Sequence, residues 1–399
     1  MMLENQVSSD LKNSVLLRSN RKPRISILYH FMYPDDVVSA HHLDGLAVDL
    51  VSKGWDVEAL PCNRGCRDER SSYPANGFHN GVRYSRIWRP PFKQATSVGR
   101  LANSLWMILA WMKLALRRKE TRPDIVLIGT DPVFAVAAAI PIKLIAPKVR
   151  VAHWCFDLHP EAAIASEIIS SSNPITRAVR KVMHASYLRC DVIADIGPCM
   201  RALLNRYPHN AREVQLTPWA MIEPTHRVKP NTKVRQELFG QAKLAILYSG
   251  NFGQAHSFDE ILAVARALRH VPEISFCFAV RGNKVDELKR AISTEDSNVS
   301  IAEFAPLAQL EKRLGAADIH MISLRPEWSG IAIPSKFFGS LAVGKPVLFA
   351  GPSGSSIAQW IKKFGVGWVV NSENTNKIAE DLCRLVGSKN SIIELQKRA

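Results

Sequence analysis

Three glycine-containing loops in the second half of the chain carry residue types that bind phosphate. Backbone N–H groups of such loops hold anions, and a lysine in the first turn of a following helix adds positive charge. None of the loops has the GKS or GKT of a Walker loop or the pattern G-x-G-x-x-G. Together they predict a site for a phosphate-bearing ligand, although each alone also fits an ordinary turn between strand and helix, and the lysine a solvent-facing position. The candidate residues of these loops are Gly250, Asn251, Gly253, Arg281, Gly330, Ser335 and Lys336.

Ionisable residues also follow a strand in the first half of the chain, in the segment Asp157-Leu158-His159-Pro160-Glu161. Asp157 and Glu161 are candidates for a base, a hydroxyl-binding group or a group that sets the distance between reactants. The same letters also fit a helix start, with Asp157 as cap and Glu161 in the first turn. Both interpretations stay open at this point.

The elements that must position these residues alternate between strand and helix. Apolar runs predict strands at 24–30, 55–60, 82–88, 124–129, 149–156 and 191–196, and again at 317–324, 346–350 and 365–370. Residues 244–253 and 274–282 are each predicted to form a strand followed by a loop. This alternation predicts an α/β fold of two Rossmann-like, doubly wound parallel-sheet domains. In such sheets ligands bind at the carboxyl ends of strands, where the candidate loops lie.

The predicted organisation is a flexible tail at 1–22, a first domain at 23–218, a linker at 219–240 and a second domain at 241–399. The linker is assigned to a polar, proline-punctuated stretch that lacks a strand at its middle. The N-terminal stretch contains Glu4 and Asp10 and has no continuous apolar core, so it is not expected to be a secretory signal.

The charge of the chain predicts a negatively charged partner. It contains 52 Lys and Arg against 36 Asp and Glu, a net charge of +16. The scattered positions of the 7 cysteines disfavour a disulfide framework.

One basic segment, 101–122, combines bulky apolar residues, Trp106 and Trp111, and a cluster of Lys and Arg at its end. This combination is typical of a helix that lies on an anionic membrane surface, and a buried crossover helix with a solvated tail is the alternative. No transmembrane helix is expected, because the apolar stretches fall short of the roughly 20 residues that span a bilayer.

Several motifs carry a resemblance to a known family. They are YSGNFG followed by His256, PSK with GKPV (334–347), SKGWDVEAL (52–60) and FDLHPE (156–161). Over residues 24–386 the chain resembles glycosyltransferase family 4, the group 1 sugar transferases of GT-B fold, whose two Rossmann-like domains face a cleft. It is most similar in motif to the branch that builds O-antigen, capsule or exopolysaccharide repeats.

The resemblance implies transfer of a sugar, with retention of anomeric configuration, from a nucleotide diphosphate donor such as a UDP- or GDP-sugar. It implies no metal and no cofactor apart from this donor substrate. By position, Gly250, Asn251, Gly253 and His256 match the first donor loop, Ser335 and Lys336 the diphosphate region, and Asp157 and Glu161 the acceptor-side loop. The acceptor would be a lipid-linked or other saccharide, and the protein a cytoplasmic one, peripheral on the inner face of the cell membrane. A nucleic acid partner is not expected.

The chain departs from the family pattern at two places. Asn251 and His256 stand where many members have an arginine and a lysine. The paired glutamates of the family fall on Gly339 and near Ile331, so neither is present in this chain. Lys336 and Arg281 are therefore the expected charge partners of the donor. An inactive homologue, a sugar-nucleotide epimerase on the same architecture, and a non-catalytic basic membrane or nucleic-acid adaptor are the alternatives.

Overall fold

The computed structural model describes residues 21–35, 37–226 and 228–399. The expected flexible tail therefore lies outside the described residues, apart from its last two positions. The chain divides into two compact units, one built mainly from residues before Leu216 and the other from Thr217–Ala399. Two short segments, Glu161–Ile169 and Gly197–Ala202, belong to the second unit. The domain boundaries and linker given above stay predictions.

The first unit contains an 8-stranded sheet in the order β3-β4-β2-β1-β5-β6-β7-β8. All neighbouring strands within it are parallel except β3 and β4, which are antiparallel. Its strands are β1 (Arg24–Leu28), β2 (Asp56–Ala59), β3 (Asn76–His79), β4 (Val82–Ser85), β5 (Ile125–Ile128), β6 (Arg150–Trp154), β7 (Val192–Asp195) and β8 (Arg212–Gln215).

Burial explains why the central strands of this sheet read as continuous apolar runs. In β1, Ile27 and Leu28 have no exposed surface, and Ile27 aligns with Ala59 of β2 and Leu127 of β5. A parallel strand covered on both faces requires apolar residues at every position. The helices of this part of the chain are α1 (Val38–Ser52), α2 (Ser97–Met112), α3 (Ala139–Ile145), α4 (Glu161–Ala165), α5 (Pro174–Tyr187) and α6 (Pro198–Leu204), with a 3₁₀ helix at Ala135–Ala138.

The second unit contains a fully parallel 6-stranded sheet in the order β11-β10-β9-β12-β13-β14. Its strands are β9 (Leu244–Asn251), β10 (Ile274–Arg281), β11 (Val299–Ala302), β12 (Ile319–Ser323), β13 (Val347–Ala350) and β14 (Gly367–Val370). Its helices are α7 (Thr232–Phe239), α8 (Asp259–Ala267), α9 (Val285–Ala291), α10 (Leu310–Gly315), α11 (Lys336–Ala342), α12 (Ser356–Phe364), α13 (Thr375–Gly387) and α14 (Lys389–Arg398), with 3₁₀ helices at Leu307–Gln309 and Pro326–Trp328.

This strand order positions the candidate loops. β9 lies between β10 and β12, and all three run in the same direction. Residues that follow Asn251, Arg281 and Ser323 therefore emerge at one edge of the sheet. The expected doubly wound architecture is confirmed in both units.

Some elements differ from the sequence-based expectations. Strands β3, β8 and β11 were not predicted, because each is four residues long and carries only exposed or half-buried side chains. Helix α7 occupies part of the expected linker, and α12 and α14 were also not anticipated. The basic segment expected to be helical over 101–122 is helical only to Met112. Within the described residues, no helix is both long enough and apolar enough to cross a bilayer.

Candidate functional site

The Lys336 side chain lies across Gly250 at the carboxyl edge of the second sheet. Lys336 is the first residue of α11, and Gly250 is near the end of β9. A Cβ atom at position 250 would lie 2.7 Å from Lys336 Cε, and the φ angle of Gly250 is +139°. The positive φ favours glycine at this position, and a larger side chain would also displace the end of the lysine. Two of the predicted site residues, 86 positions apart in the chain, are thus in direct contact.

His256 contacts both the lysine and the end of β12. Its Nδ1 atom lies 2.7 Å from the carbonyl oxygen of Ser323, and its Nε2 atom lies 3.3 Å from Lys336 Nζ. A carbonyl can only accept, so Nδ1 must carry the ring proton and Nε2 must accept from the lysine. The contacts thereby define the tautomer of the neutral imidazole.

The ammonium group also lies over an aromatic ring. Lys336 Nζ is 5.0 Å from the ring centroid of Tyr248, whose side chain is fully buried. Burial raises the pKa of the Tyr248 hydroxyl, so this ring stays neutral and offers a cation–π contact. Neither Tyr248 nor Ser323 was among the predicted site residues. The sequence signal that could have identified Tyr248 is an aromatic residue directly after the aliphatic residues that begin this strand.

Burial dominates the electrostatics of this cluster. It lowers the pKa of Lys336 to about 7. Burial, together with the charge of Lys336, lowers the pKa of His256 to about 3, and the hydrogen bond to Ser323 opposes this shift. Within the described part of the chain, no carboxylate forms an ion pair with Lys336. The geometry is therefore that of a cation whose own protein neighbours do not neutralise its charge, which is suited to an anionic ligand.

The rim of the site is formed by the loops after β9 and β10. Gly282 has a φ of +128°, and a Cβ there would lie 2.4 Å from the carbonyl oxygen of Phe252. A Cβ at Gly253 would lie 3.2 Å from Asn251 Nδ2 and 3.6 Å from Asn283 Oδ1. The two loops are consequently packed against each other, with Asn251 and Asn283 amides between them.

Other predicted residues have different surroundings. Arg281 aligns with Asn251 in the sheet, and its guanidinium stacks 3.8 Å over the ring of Phe304. Ser335 immediately precedes α11, and its hydroxyl does not cap the helix. Gly330 has a φ of +78° in the loop before α11. The structure thus brings together Gly250, His256 and Lys336, and places Arg281, Ser335 and Gly330 on the adjoining loops.

The two positions where the family glutamates were expected do not offer a ligand-binding group. A side chain at Gly339 would begin 3.6 Å from Leu314, and Ile331 is buried. Packing accounts for the apolar residue at 331, whereas the contact at Gly339 is an ordinary van der Waals distance that would admit a larger side chain.

In the first unit, Asp157 lines a small cavity at the carboxyl edge of the sheet. The cavity, about 10 Å³, has room for about one water molecule. Desolvation, reinforced by the charge of Asp131, raises the pKa of Asp157, although more than a third of the residue is exposed. Polar side chains that share the cavity are Thr130, His153 and His159.

Glu161 is the first residue of α4, in the second unit. The helix-start interpretation of this segment therefore applies to Glu161, whereas Asp157 lies four positions before the helix.

The sequence and fold of this chain were compared with those of known proteins. No protein-family model matches the chain. A curated relative, the probable glycosyltransferase WbjE of Pseudomonas aeruginosa, is 25% identical over 309 residues, which cover 74% of this chain and 75% of the relative.

Solved structures of similar fold cover nearly the whole chain. Sucrose-phosphate synthase from Thermosynechococcus elongatus has a TM-score of 0.69 at 14% identity, covering 95% of this chain and 93% of its own. WaaG, a glycosyltransferase involved in lipopolysaccharide biosynthesis, has a TM-score of 0.60 at 14% identity, covering 94% and 93%. Anabaena Alr3699/HepE in complex with UDP and glucose has a TM-score of 0.63 at 12% identity, covering 94% and 93%. The expected GT-B fold and the resemblance to the group 1 glycosyltransferases are confirmed.

Proposed function

We propose that this chain of GT-B fold, similar to group 1 glycosyltransferases, transfers a sugar from a UDP- or GDP-sugar to a lipid-linked saccharide. The transfer retains the anomeric configuration and serves the synthesis of a cell-surface polysaccharide. The observation that carries the proposal is the contact of Lys336 with Gly250 and His256 at the carboxyl edge of a parallel sheet. This is the edge at which α/β sheets bind their ligands.

In this proposal, Lys336 binds the diphosphate of the donor and stabilises the charge that develops on it as the sugar leaves. His256, fixed by the Ser323 carbonyl, holds the lysine in position through Nε2. The amides of Asn251 and the backbone of Gly253 border the same space. Arg281 and Ser335 contribute to the donor site from the adjoining loops, and Gly330 allows the loop before α11 to approach the ligand. No metal is required for this charge stabilisation.

On the acceptor side, Asp157 binds or deprotonates the attacking hydroxyl. Its raised pKa makes this carboxylate a stronger base than an ordinary aspartate, which favours deprotonation of the hydroxyl. Glu161 stays a predicted acceptor-side residue.

Helix α2 supports a peripheral position on the inner face of the cell membrane. It exposes Val98, Leu101, Leu105, Trp106 and Leu109, which recur at helical spacing along one face. The sequence continues into Lys113, Arg117, Arg118 and Lys119. An exposed apolar stripe next to basic residues suits the surface of an anionic bilayer, where a lipid-linked acceptor resides.

The proposal is tested by thermal unfolding with UDP, GDP and ADP. We expect UDP or GDP at a hundredfold excess over its Kd to stabilise the protein by about 2.7 kcal/mol. Lys336→Ala should abolish this gain, because the ammonium lies beside Gly250 and His256 at the edge where the donor would bind. Lys362→Ala, which changes an exposed lysine of α12, is the matched control and should keep it. Absence of stabilisation by any nucleoside diphosphate at millimolar concentration would contradict the proposal.

A second measurement separates transfer from epimerisation. The preferred nucleotide sugar is incubated with and without membranes that supply acceptor. We expect product only with membranes, whereas conversion of the donor alone into an isomer would identify an epimerase.

A further inference from the structure

His320 is a buried histidine of strand β12 that does not itself touch the Lys336 ammonium. The residue is 3% exposed, and both nitrogens of its ring have a partner. Nε2 lies 2.9 Å from the carbonyl oxygen of Leu314 on α10, and Nδ1 lies 2.9 Å from the hydroxyl oxygen of Ser340 on α11. The ring therefore joins a central strand of the second sheet to two helices.

The protonation of His320 follows from these partners and from burial. A carbonyl can only accept, so Nε2 carries the ring hydrogen, and Nδ1 of the neutral ring accepts from Ser340. Burial lowers the pKa of His320 to about 4; the Leu314 carbonyl and Asp318 oppose this shift, and the charge of Lys345 adds to it. The ring is thus neutral at neutral pH.

Ser340 connects this ring to the main chain of Lys336. Its hydroxyl oxygen lies 2.8 Å from the backbone carbonyl oxygen of Lys336, the first residue of α11. One hydroxyl hydrogen therefore faces two acceptors, the His320 ring and the Lys336 carbonyl, and is shared between them. A change at His320 is transmitted through this hydroxyl to the first turn of α11.

The position of α11 depends on its contacts with neighbouring elements. The helix is 7 residues long, and the Ser335 hydroxyl does not cap it. Its buried side chains are Phe337 and Ser340. Phe337 packs into an apolar cluster, and such packing has no direction, whereas the hydrogen bond between Ser340 and His320 has a defined geometry. This bond is the directional restraint on the turn that carries Lys336.

Strand β12 restrains Lys336 at both ends of the residue. The Ser323 carbonyl, at the end of the strand, holds the His256 ring, whose Nε2 accepts from Lys336 Nζ. His320, earlier in the same strand, acts on the main chain of the lysine by way of Ser340. The ammonium and the start of the helix thus share one support in the centre of the sheet.

We propose that His320 is a positioning residue of the donor site: through Ser340 it holds the first turn of α11, and with it Lys336, in the position that binds the donor diphosphate. Binding of the diphosphate rests on the proposed function. The position of the lysine does not, because it can be measured in the empty protein.

Two substitutions of His320 separate its two contacts. The amide of asparagine takes the place of Nδ1 and keeps the contact with Ser340, whereas the amide of glutamine takes the place of Nε2 and keeps the contact with Leu314. Both should lower the melting temperature, because each loses a buried hydrogen bond. We expect His320→Gln to weaken UDP binding about tenfold and His320→Asn to change it less than about twofold, because only the first releases the lysine from its position. Ser340→Ala should resemble His320→Gln, and it serves if neither histidine variant folds.

Two measurements on the full chain distinguish these variants. Titration calorimetry at pH 7 gives the UDP affinity. Labelling with acetic anhydride as a function of pH, followed by mass spectrometry, gives the protonation of Lys336 in the empty protein, because only the neutral amine reacts. The labelling midpoint should move to higher pH in His320→Gln, since a displaced ammonium gains solvent, and stay in place in His320→Asn. Asn298→Ala is the matched control: it removes a buried hydrogen bond to the Ala265 carbonyl in the same unit and should lower the melting temperature alone.

Equal UDP affinities and equal labelling midpoints in the two His320 variants would overturn the proposal, because a purely structural histidine would not distinguish its two contacts. In a Lys336→Met background, His320→Gln should have no further effect on UDP binding. A further loss in that background would show that the histidine does not act through the lysine. If the parent binds no UDP, the proposed function fails, whereas the labelling midpoints still decide the role of His320.

Discussion

Lys336 combines a positive charge with an environment that disfavours it. Burial lowers its pKa to about 7, so a substantial fraction of the empty protein carries a neutral lysine at neutral pH. A bound diphosphate favours the ammonium form and raises the pKa again. Binding is then accompanied by uptake of a proton from solvent.

We therefore expect UDP affinity to fall as the pH rises above 7. Well above the pKa of the free lysine, the fall should approach tenfold per pH unit, because one proton must be supplied for each ligand. Above pH 7 the terminal phosphate is already ionised and does not contribute to the change. Titration calorimetry between pH 7 and 9 measures the slope. Lys336→Met should bind weakly at all pH values, and an equally steep slope in that variant would assign the proton to another group.

The same shift predicts an effect on stability without ligand. The pKa of Lys336 is lower in the folded state than the ordinary lysine value of 10.5, so its protonation penalises folding fully below pH 7, and the penalty fades as the pH rises toward 10.5. Lys336→Met should consequently raise the melting temperature most at pH 6 and less at pH 9. Thermal unfolding at the two pH values checks this, and a lower melting temperature at pH 6 would contradict it.

Gly250 has a structural role that alanine cannot fill. The added Cβ would lie 2.7 Å from Lys336 Cε at a φ of +139°. Gly250→Ala should cost about 1–3 kcal/mol of stability from backbone strain and move the lysine, with loss of UDP stabilisation. Gly354→Ala is the control, because a Cβ there meets no atom within 4 Å. Retained UDP binding in Gly250→Ala would show that the lysine can bind from another rotamer.

At the scale of elements, helix α2 has two opposed faces. Trp111 is fully buried and its indole donates to the Leu60 carbonyl at 2.9 Å, whereas Trp106 is 40% exposed. The sequence-based expectation assigned both tryptophans to one interfacial helix. In the structure, the buried face fixes the helix to its unit and leaves the leucine face outward.

Because Leu105 and Leu109 lie on the exposed face of α2, their role in membrane binding can be tested without unfolding the protein. Leu105→Glu with Leu109→Glu should lower the affinity for anionic phospholipid vesicles at least tenfold, because each exposed leucine loses apolar contact and gains repulsion. Vesicle flotation measures binding, and the melting temperature should stay unchanged. Leu144→Glu is the control, since Leu144 is 68% exposed on α3. Similar losses in the control would indicate a charge effect that is independent of position.

At the scale of the whole molecule, the net charge of +16 adds a long-range attraction to anionic surfaces. Vesicle binding of the parent should weaken as salt rises from 50 to 500 mM, because the screening length falls from above 10 Å to below 8 Å. A remainder that depends on Leu105 and Leu109 should persist at high salt. Complete loss of binding in high salt would limit the interaction to charge alone.

Most of the architecture could be predicted from the sequence, because the central strands of both units are buried on two faces. Strands such as β5 and β13 are uninterrupted apolar runs, IVLI and VLFA. Edge strands β3 and β11 lack that signature, since few of their positions need to be apolar. Pairing with a neighbouring strand stabilises them, and that pairing is not encoded within four residues.

The candidate site was readable only in part. The glycine-containing loops predicted which strand ends form the phosphate site. Lys336 was predicted as a site residue because it lies in the first turn of the helix after one of these loops. The contacts of Lys336 with His256 and Tyr248 join residues 80 or more positions apart, which depends on strand order.

Trp106 of α2 packs edge-on against Trp88, with ring centroids 5.4 Å apart, and this contact gives the protein an optical reporter of its own. The two indoles are 40% and 56% exposed, whereas Trp111 and Trp154 are fully buried. Entry of the exposed pair into a lipid interface would shift fluorescence emission to shorter wavelengths, against the background emission of the other seven of the chain's 9 tryptophans. Trp88→Phe with Trp106→Phe should remove the shift, so that docking can be followed in real time on unlabelled protein.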